Sequence, residues 1–211
     1  MKSDMRKIIL LILAIGVVYL ILVFSNRSDE LTITQTSELN TSTKDRIDKE
    51  IIEVKKLIKK DSKYDTEIGF FIDMKIPSGK NRFFIYNFQT KKIIDKGIVA
   101  HGSGSETGIN GKLKFSNTNN SLSTSLGKYS IGNSYDGRFG KAYKLYGLDK
   151  TNNNAFDRNI VLHKYFDVPY NEQVENICNS YGCPMVNEKF FKRIEKIIDN
   201  SEKKIVMSIY Y

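Results

Sequence analysis

From Ile68 to the C-terminus the apolar residues stop recurring every third or fourth position and fall instead into short runs bounded by turn residues. That change of period constrains the fold more than any other feature of the chain. Ile68–Asp73 and Arg82–Phe88 are rich in Phe, Ile and Tyr and are separated by Pro77-Ser78-Gly79, a turn signal. Lys92–Ala100 continues the pattern, with Gly97 as the expected turn. Tyr143–Tyr146 alternates, Ile160–Leu162 reads as a short buried strand ending at His163, and Ile205–Tyr211 reads as a closing strand. One helix breaks the rhythm. Asn187 is the expected N-cap, and Phe190, Phe191, Ile194, Ile197 and Ile198 form one face on the way to Asn200. Many short strands with one late helix predict a mainly β, sandwich-like domain over residues 65–211.

The first third of the chain has a different character. Lys2, Arg6 and Lys7 precede an uncharged apolar run, Ile8–Phe24, and polar residues resume at Ser25. A positive flank, an apolar segment and a polar exit make a membrane-insertion signal. No small-residue cleavage site follows, because Val23-Phe24-Ser25 places a bulky ring there, and no cysteine follows to carry a lipid. The expectation is an uncleaved signal anchor, a transmembrane helix over 1–25, with its N-terminus in the cytoplasm and the rest of the chain outside. A cleaved signal is the alternative. Residues 26–64 are expected to hold a Ser/Thr/Asn-rich tether as far as about Thr43, then an amphipathic helix. Ser42 and Asp45 suggest a capping box, and Ile47, Ile51, Val54 and Ile58 give a stripe for packing on the domain or forming a short stalk.

Composition removes several classes of function. With 40% hydrophobic and 11% aromatic residues, the chain can bury a core, which excludes global disorder. The net charge of +9 is dispersed, and no nucleic-acid-binding motif accompanies it. Two cysteines and two histidines, without C-x-x-C or H-E-x-x-H, predict neither a metal nor a cofactor. Gly102, Gly104, Gly108 and Gly111 cluster after His101 but lack the spacing of a phosphate-binding loop.

The chemistry concentrates at Asn179-Ser180-Tyr181-Gly182-Cys183-Pro184. A thiol is a strong nucleophile only as the thiolate, which needs a neighbouring base or backbone N–H dipoles. Gly182 lets backbone amides approach a reacting carbonyl, and His163 is the candidate base. These residues point to a cysteine acyl-transferase, with a buried structural thiol as the bland reading of Cys183. Cys178 is either a bystander or a disulfide partner. His101 reads as a second base or, more simply, as a structural or groove-lining histidine.

In order along the chain, His101-Gly102-Ser103, Phe115-Ser116-Asn117, Ser121–Tyr129, Tyr135-Asp136-Gly137, Gly147-Leu148, Asn153–Arg158, Ile160–His163 and Ser180–Pro184 resemble the murein L,D-transpeptidase catalytic domain. The nearer relative is the branch of YkuD-type enzymes with a Ser-x-Gly-Cys-Pro motif, and the resemblance runs over about 70 to 200. It implies a YkuD-like β-sandwich with a groove for peptidoglycan stem peptides. Cys183 matches the nucleophile and His163 the base, oriented by a neighbouring backbone carbonyl. Backbone N–H groups of Tyr181, Gly182 and Cys183 would form the oxyanion hole, and Ser180 would fix the turn. By the same resemblance Cys183 attacks the carbonyl of the third residue of a tetrapeptide stem and expels the terminal D-alanine. An amine then resolves the thioester, or water does so in an L,D-carboxypeptidase. A non-catalytic cell-wall-binding protein is the reading from another class. Arg158 would grip a stem carboxylate or brace its own loop. Three positions depart from the common pattern: Tyr181 stands where His is usual, Asn179 where a long donor is frequent, and Lys164 follows the base where Gly is usual. The substrate lies outside the cytoplasmic membrane, in agreement with the anchor. The acceptor amine and the oligomeric state stay open.

Overall fold

The computed structural model describes residues 39–211 except Asn110. The expected membrane helix and most of the tether lie outside the described residues. No helix among the described residues is long and apolar enough to cross a membrane.

Asn40 starts the first helix, α1 (Thr41–Lys60), by accepting a hydrogen bond from the Thr43 amide at 2.9 Å. The cap therefore precedes the expected Ser42–Asp45 box, since asparagine is as good an N-cap as serine. Ser42 Oγ accepts instead from Arg46 at 2.7 Å. Thr43, Ile47, Ile51, Val54 and Ile58 form a buried stripe that packs on β1 (Tyr64–Asp73) and β9 (Lys204–Tyr210). Polar ties reinforce that packing, from Arg46 to the buried Asp73 at 2.8 Å and from Ser208 Oγ to Glu50 at 2.8 Å.

The remaining strands are β2 (Phe83–Asn87), β3 (Lys92–Gly97), β4 (Val99–Ala100), β5 (Gly127–Gly137), β6 (Gly140–Gly147), β7 (Val161–Lys164) and β8 (Met185–Val186). Among the described residues they form one sheet in the order β3-β2-β1-β9-β5-β6-β7-β8-β4. The pairs β1–β9 and β7–β8 are parallel and the others antiparallel. The two edge strands, β3 and β4, are separated in sequence only by Ile98. Gly97 and Val99 can be no more than about 7 Å apart, so the sheet must curl until its two edges nearly meet. The mainly β class and the late helix follow the sequence pattern, but the two expected layers come from one sheet rolled over on itself.

Inside the roll lie Phe70, Ile72, Phe83, Ile85, Tyr129, Tyr143, Leu145, Leu162, Met207 and Ile209, all buried. The second helix, α2 (Glu188–Asn200), starts at Asn187, whose side chain accepts from the Lys189 amide at 2.9 Å. It adds Phe190, Phe191 and Ile194 to the same core. Phe190 meets Phe83 edge-on at 5.3 Å and leaves no room at Gly97, where a Cβ would sit 2.3 Å from the Phe190 ring. Each such ring contributes about 1.5–3 kcal/mol by burial.

Two boundaries differ from the sequence reading for physical reasons. β1 begins at Tyr64 rather than Ile68, and its register with β9 shifts between Tyr64 and Gly69, so the first half carries no clean alternation. β5 runs through Ser130-Ile131-Gly132-Asn133-Ser134, a poor strand by propensity. Pairing with β9 on one side and β6 on the other holds it in place.

Candidate active site

Strand β7 and the short β8 beside it bring the two chemically expected side chains together. His163 on β7 is in register with Ala142 of β6 and Met185 of β8, two residues after Cys183. Cys183 and His163 line one cavity of about 670 Å³. Its walls include Tyr135, Phe139, Ala142, Val161, Phe166 and Tyr181.

The turn before Cys183 is held from both sides. Ser180 forms a bridge to Gly102, with the Ser180 amide donating to the His101 carbonyl and the Ser103 amide to the Ser180 carbonyl, each at 2.8 Å. Gly182 takes φ +118°, a conformation that L side chains rarely adopt. Its amide donates to the buried Ser180 Oγ at 3.0 Å. Gly102 has to be glycine as well, because a Cβ there would lie 2.1 Å from the Leu122 carbonyl and 2.8 Å from Gly182 Cα.

Partner chemistry sets the protonation of the pair. Cys183 Sγ accepts from the Val161 amide at 3.4 Å and donates toward the Asn159 carbonyl at 3.7 Å. Burial pushes its thiol up, opposed by the Val161 N–H, Arg158 and Lys144. His163 Nδ1 lies 3.0 Å from the Lys164 carbonyl. A carbonyl can only accept, so Nδ1 carries the proton and the Nε2 lone pair is free. Burial lowers the pKa of His163, opposed by that same hydrogen bond, and the ring stacks on Phe139 at 5.5 Å. The resting state is therefore a neutral thiol beside a neutral imidazole. No hydrogen bond links Cys183 to His163 among the described residues.

Of the proposed oxyanion donors, the Gly182 N–H is already spent on Ser180. The amides of Tyr181 and Cys183 have no protein partner among the described residues, and the Tyr181 side chain is exposed. Arg158 is not part of the cavity wall. Its guanidinium donates to the Ser116 and Ser123 carbonyls at 2.9 and 2.6 Å and to the Ser121 and Ser125 hydroxyls at 3.2 Å each, bracing the loop behind Gly182.

His101 lies apart from Cys183, lining a second cavity of about 420 Å³. Arg82, fully buried, donates to His101 Nδ1 at 2.8 Å. A guanidinium cannot accept, so the ring proton sits on Nε2 and is donated to Glu106 at 2.7 Å. Burial first, and then the Arg82 charge, keep this histidine neutral. It bridges two charged groups and has no free lone pair with which to act as a base.

Cys178 and Cys183 are both free thiols. Burial, with Asp167 nearby, pushes the Cys178 thiol up, and both side chains pack on the small cluster Ile98, Ala100, Val168, Ile177 and Met185. The residues that sequence reasoning missed are Arg138 and Phe139, at the tip of the β5–β6 hairpin. Gly137 and Gly140 mark that sharp connection in the sequence, but no periodicity shows that it reaches over His163.

Residues 38–210 match the family model described as the L,D-transpeptidase catalytic domain. No curated protein matches the chain. Among solved structures it is similar to the Ldtfm–avibactam carbamoyl enzyme, at 10% identity and a TM-score of 0.43, over 70% of this chain and 50% of that one. It is similar to the helical cell shape determining protein Pgp2 from Campylobacter jejuni, at 13% identity and a TM-score of 0.45, over 69% and 47%. A third is the L,D-transpeptidase from Xylanimonas cellulosilytica, at 12% identity and a TM-score of 0.37, over 69% and 61%. The chain thus spans about half the length of the first two and 61% of the third.

Proposed function

The chain belongs to the family of L,D-transpeptidase catalytic domains, and we propose that it is a peptidoglycan L,D-transpeptidase working through a Cys183 acyl-enzyme. The observation that carries this reading is the meeting of Cys183 with a histidine whose Nε2 lone pair is unspent, in one cavity large enough for a peptide. The thiol proton passes to His163 Nε2 as Sγ attacks the carbonyl of the third residue of a tetrapeptide stem. The C–N bond then breaks, and the nitrogen of the departing D-alanine takes the proton from the imidazolium. An amine of a neighbouring stem attacks the thioester and releases the thiolate, and His163 carries the amine proton back to sulfur. If water replaces the amine, the product is that of an L,D-carboxypeptidase.

Because thiol and imidazole both rest neutral, the proton moves only when a substrate carbonyl is present to take the developing charge. The Tyr181 and Cys183 amides are the donors available for that charge, and such donors are worth about 10²–10³-fold in rate. The apolar run Ile8–Phe24 supports an extracytoplasmic, membrane-tethered placement, on the side where peptidoglycan lies.

The test is mass spectrometry of the full-length chain incubated with a stem tetrapeptide. A thioester on Cys183 and released D-alanine are expected, and both vanish in Cys183→Ala. Release of D-alanine by Cys183→Ala would end the thioester mechanism.

A further inference from the structure

Among the described residues, one arginine lines the cavity of the reacting pair. Of the side chains lining the cavity with Cys183 and His163, Arg138 alone is always cationic. It stands at the tip of the β5–β6 hairpin, where Gly137 pairs with Gly140. Its guanidinium lies 5.6 Å from the Phe139 ring, and that ring stacks on His163 at 5.5 Å with 16° between planes. No carboxylate pairs with Arg138 among the described residues.

The neighbouring cations are engaged elsewhere. Arg158 is bound to its loop, Lys164 pairs with Glu188 at 2.9 Å, and Lys141 pairs with Glu195 and Asp199. Lys144 lies over the rings of Tyr135 and Phe156, outside the cavity wall. Arg138 is itself exposed and lines the cavity, so its guanidinium fork is available for charge-assisted bonds to an anion.

We propose that Arg138 is the specificity-determining residue for the donor stem, gripping the free α-carboxylate of the residue that is expelled. This inference rests on the acyl-transfer reading above. In that reaction His163 must reach the leaving nitrogen to protonate it. The carboxylate carbon of the leaving residue lies only about 2.5 Å from that nitrogen by ordinary bond geometry. Whatever recognises the carboxylate must therefore line the same cavity as the His163 ring, and Arg138 does so, its guanidinium 5.6 Å from the ring that stacks on His163. A guanidinium suits the task because its planar fork matches both carboxylate oxygens. The recognition is consumed as the reaction proceeds: the gripped group leaves with the product, and the emptied subsite is free when the amine arrives.

The experiment compares two donors on the full-length chain, a stem tetrapeptide with a free C-terminal carboxylate and the same peptide with a C-terminal amide. Acylation of Cys183 is followed by mass. Arg138→Gln should lower kcat/KM for the free acid by about 10–100-fold, the range of a charged hydrogen bond. It should leave the amide within about threefold of wild type, and Arg138→Lys should retain part of the preference. Equal losses on both donors would mean a structural role and overturn the inference, as would no loss on either. Normal acylation with slowed transfer to a carboxylate-bearing amine would place the gripped carboxylate on the acceptor, and would also overturn it. A wild-type chain that forms no thioester from either donor removes the reaction itself, and this inference with it.

Discussion

Replacing Gly182 by alanine tests whether the shape of the turn, rather than the mere presence of a thiol, makes Cys183 competent. Gly182 sits at φ +118°, and an added Cβ would lie 3.0 Å from the Ser123 carbonyl oxygen, 3.0 Å from Ile160 Cδ1 and 3.4 Å from Arg158 Nη2. Ser123 cannot easily retreat, because its carbonyl accepts from Arg158 at 2.6 Å and that guanidinium also holds the Ser116 carbonyl. The strain therefore relaxes into the turn itself, through Tyr181 and Cys183. Backbone strain of this kind costs about 1–3 kcal/mol, and a domain of this size loses roughly 2–4 °C per kcal/mol, so Tm should fall by about 2–12 °C. Acylation should suffer more, since a displacement of about 1 Å at a reacting group costs on the order of 10²-fold. Gly108→Ala is the control. Gly108 also has positive φ (+76°), but nothing lies within 4 Å of its added Cβ and it is not part of the Cys183 cavity. Its Tm should fall while acylation stays within about twofold of wild type. The assay is the rate of thioester formation by mass, alongside a thermal scan of both variants. If Gly182→Ala acylates at the wild-type rate, the positioning of Cys183 does not depend on this turn, and turn shape is not what makes the thiol competent.

Arg82→Met should be strongly destabilising, because it strands the Val99 and Ile76 carbonyls and His101 Nδ1 without their donor. Breaking one side of such a buried polar cluster costs about 3–5 kcal/mol, a Tm drop of roughly 6–20 °C at this size, and a scan showing less than a few degrees would refute it. The acid limb of kcat/KM should lie below the ordinary histidine value of 6.5, because burial lowers the pKa of His163. The sign follows from its proposed role: with His163 as the base, the neutral imidazole is the active form, so activity is lost as pH falls through the lowered pKa. A pH–rate profile with its acid limb above 6.5 would contradict this assignment. Cys183 in the free protein should alkylate more slowly at neutral pH than an exposed cysteine, since burial raises its thiol above the ordinary value of 9.0. Fast labelling by iodoacetamide at pH 7 would show a preformed thiolate instead.

How much of this was legible in the sequence depended on whether a residue's signal was local. The late helix is readable because Asn187 and the Phe190-Phe191-Ile194 face carry cap and stripe within one segment. The turn at Ser180–Cys183 is readable because a thiol beside glycine is unusual in itself, and His163 closes a run of strand-forming residues. What the sequence cannot show is where one segment goes relative to another. Gly97 is readable as a turn within Lys92–Ala100, yet nothing local shows that the chain leaves one edge of the sheet there and joins the opposite edge at Val99. That crossing seats Val99 and Ala100 against β8, and so places His101 and Gly102 beside the Ser180–Cys183 turn. Arg158 and Arg138 show the same limit from the other side. Both are lone arginines in polar loops, and sequence left Arg158 open between gripping a stem carboxylate and bracing its own loop. The fold spends Arg158 on four oxygens of the Ser116–Ser125 loop and leaves Arg138, without an ion-pair partner among the described residues, over the ring that stacks on His163. The difference lies in the hairpin. β5 looks too polar and glycine-rich to be a strand, and only its pairing with both neighbours carries Arg138 out to the cavity mouth. A residue whose role depends on a strand that propensity disfavours is invisible until the sheet is assembled around it.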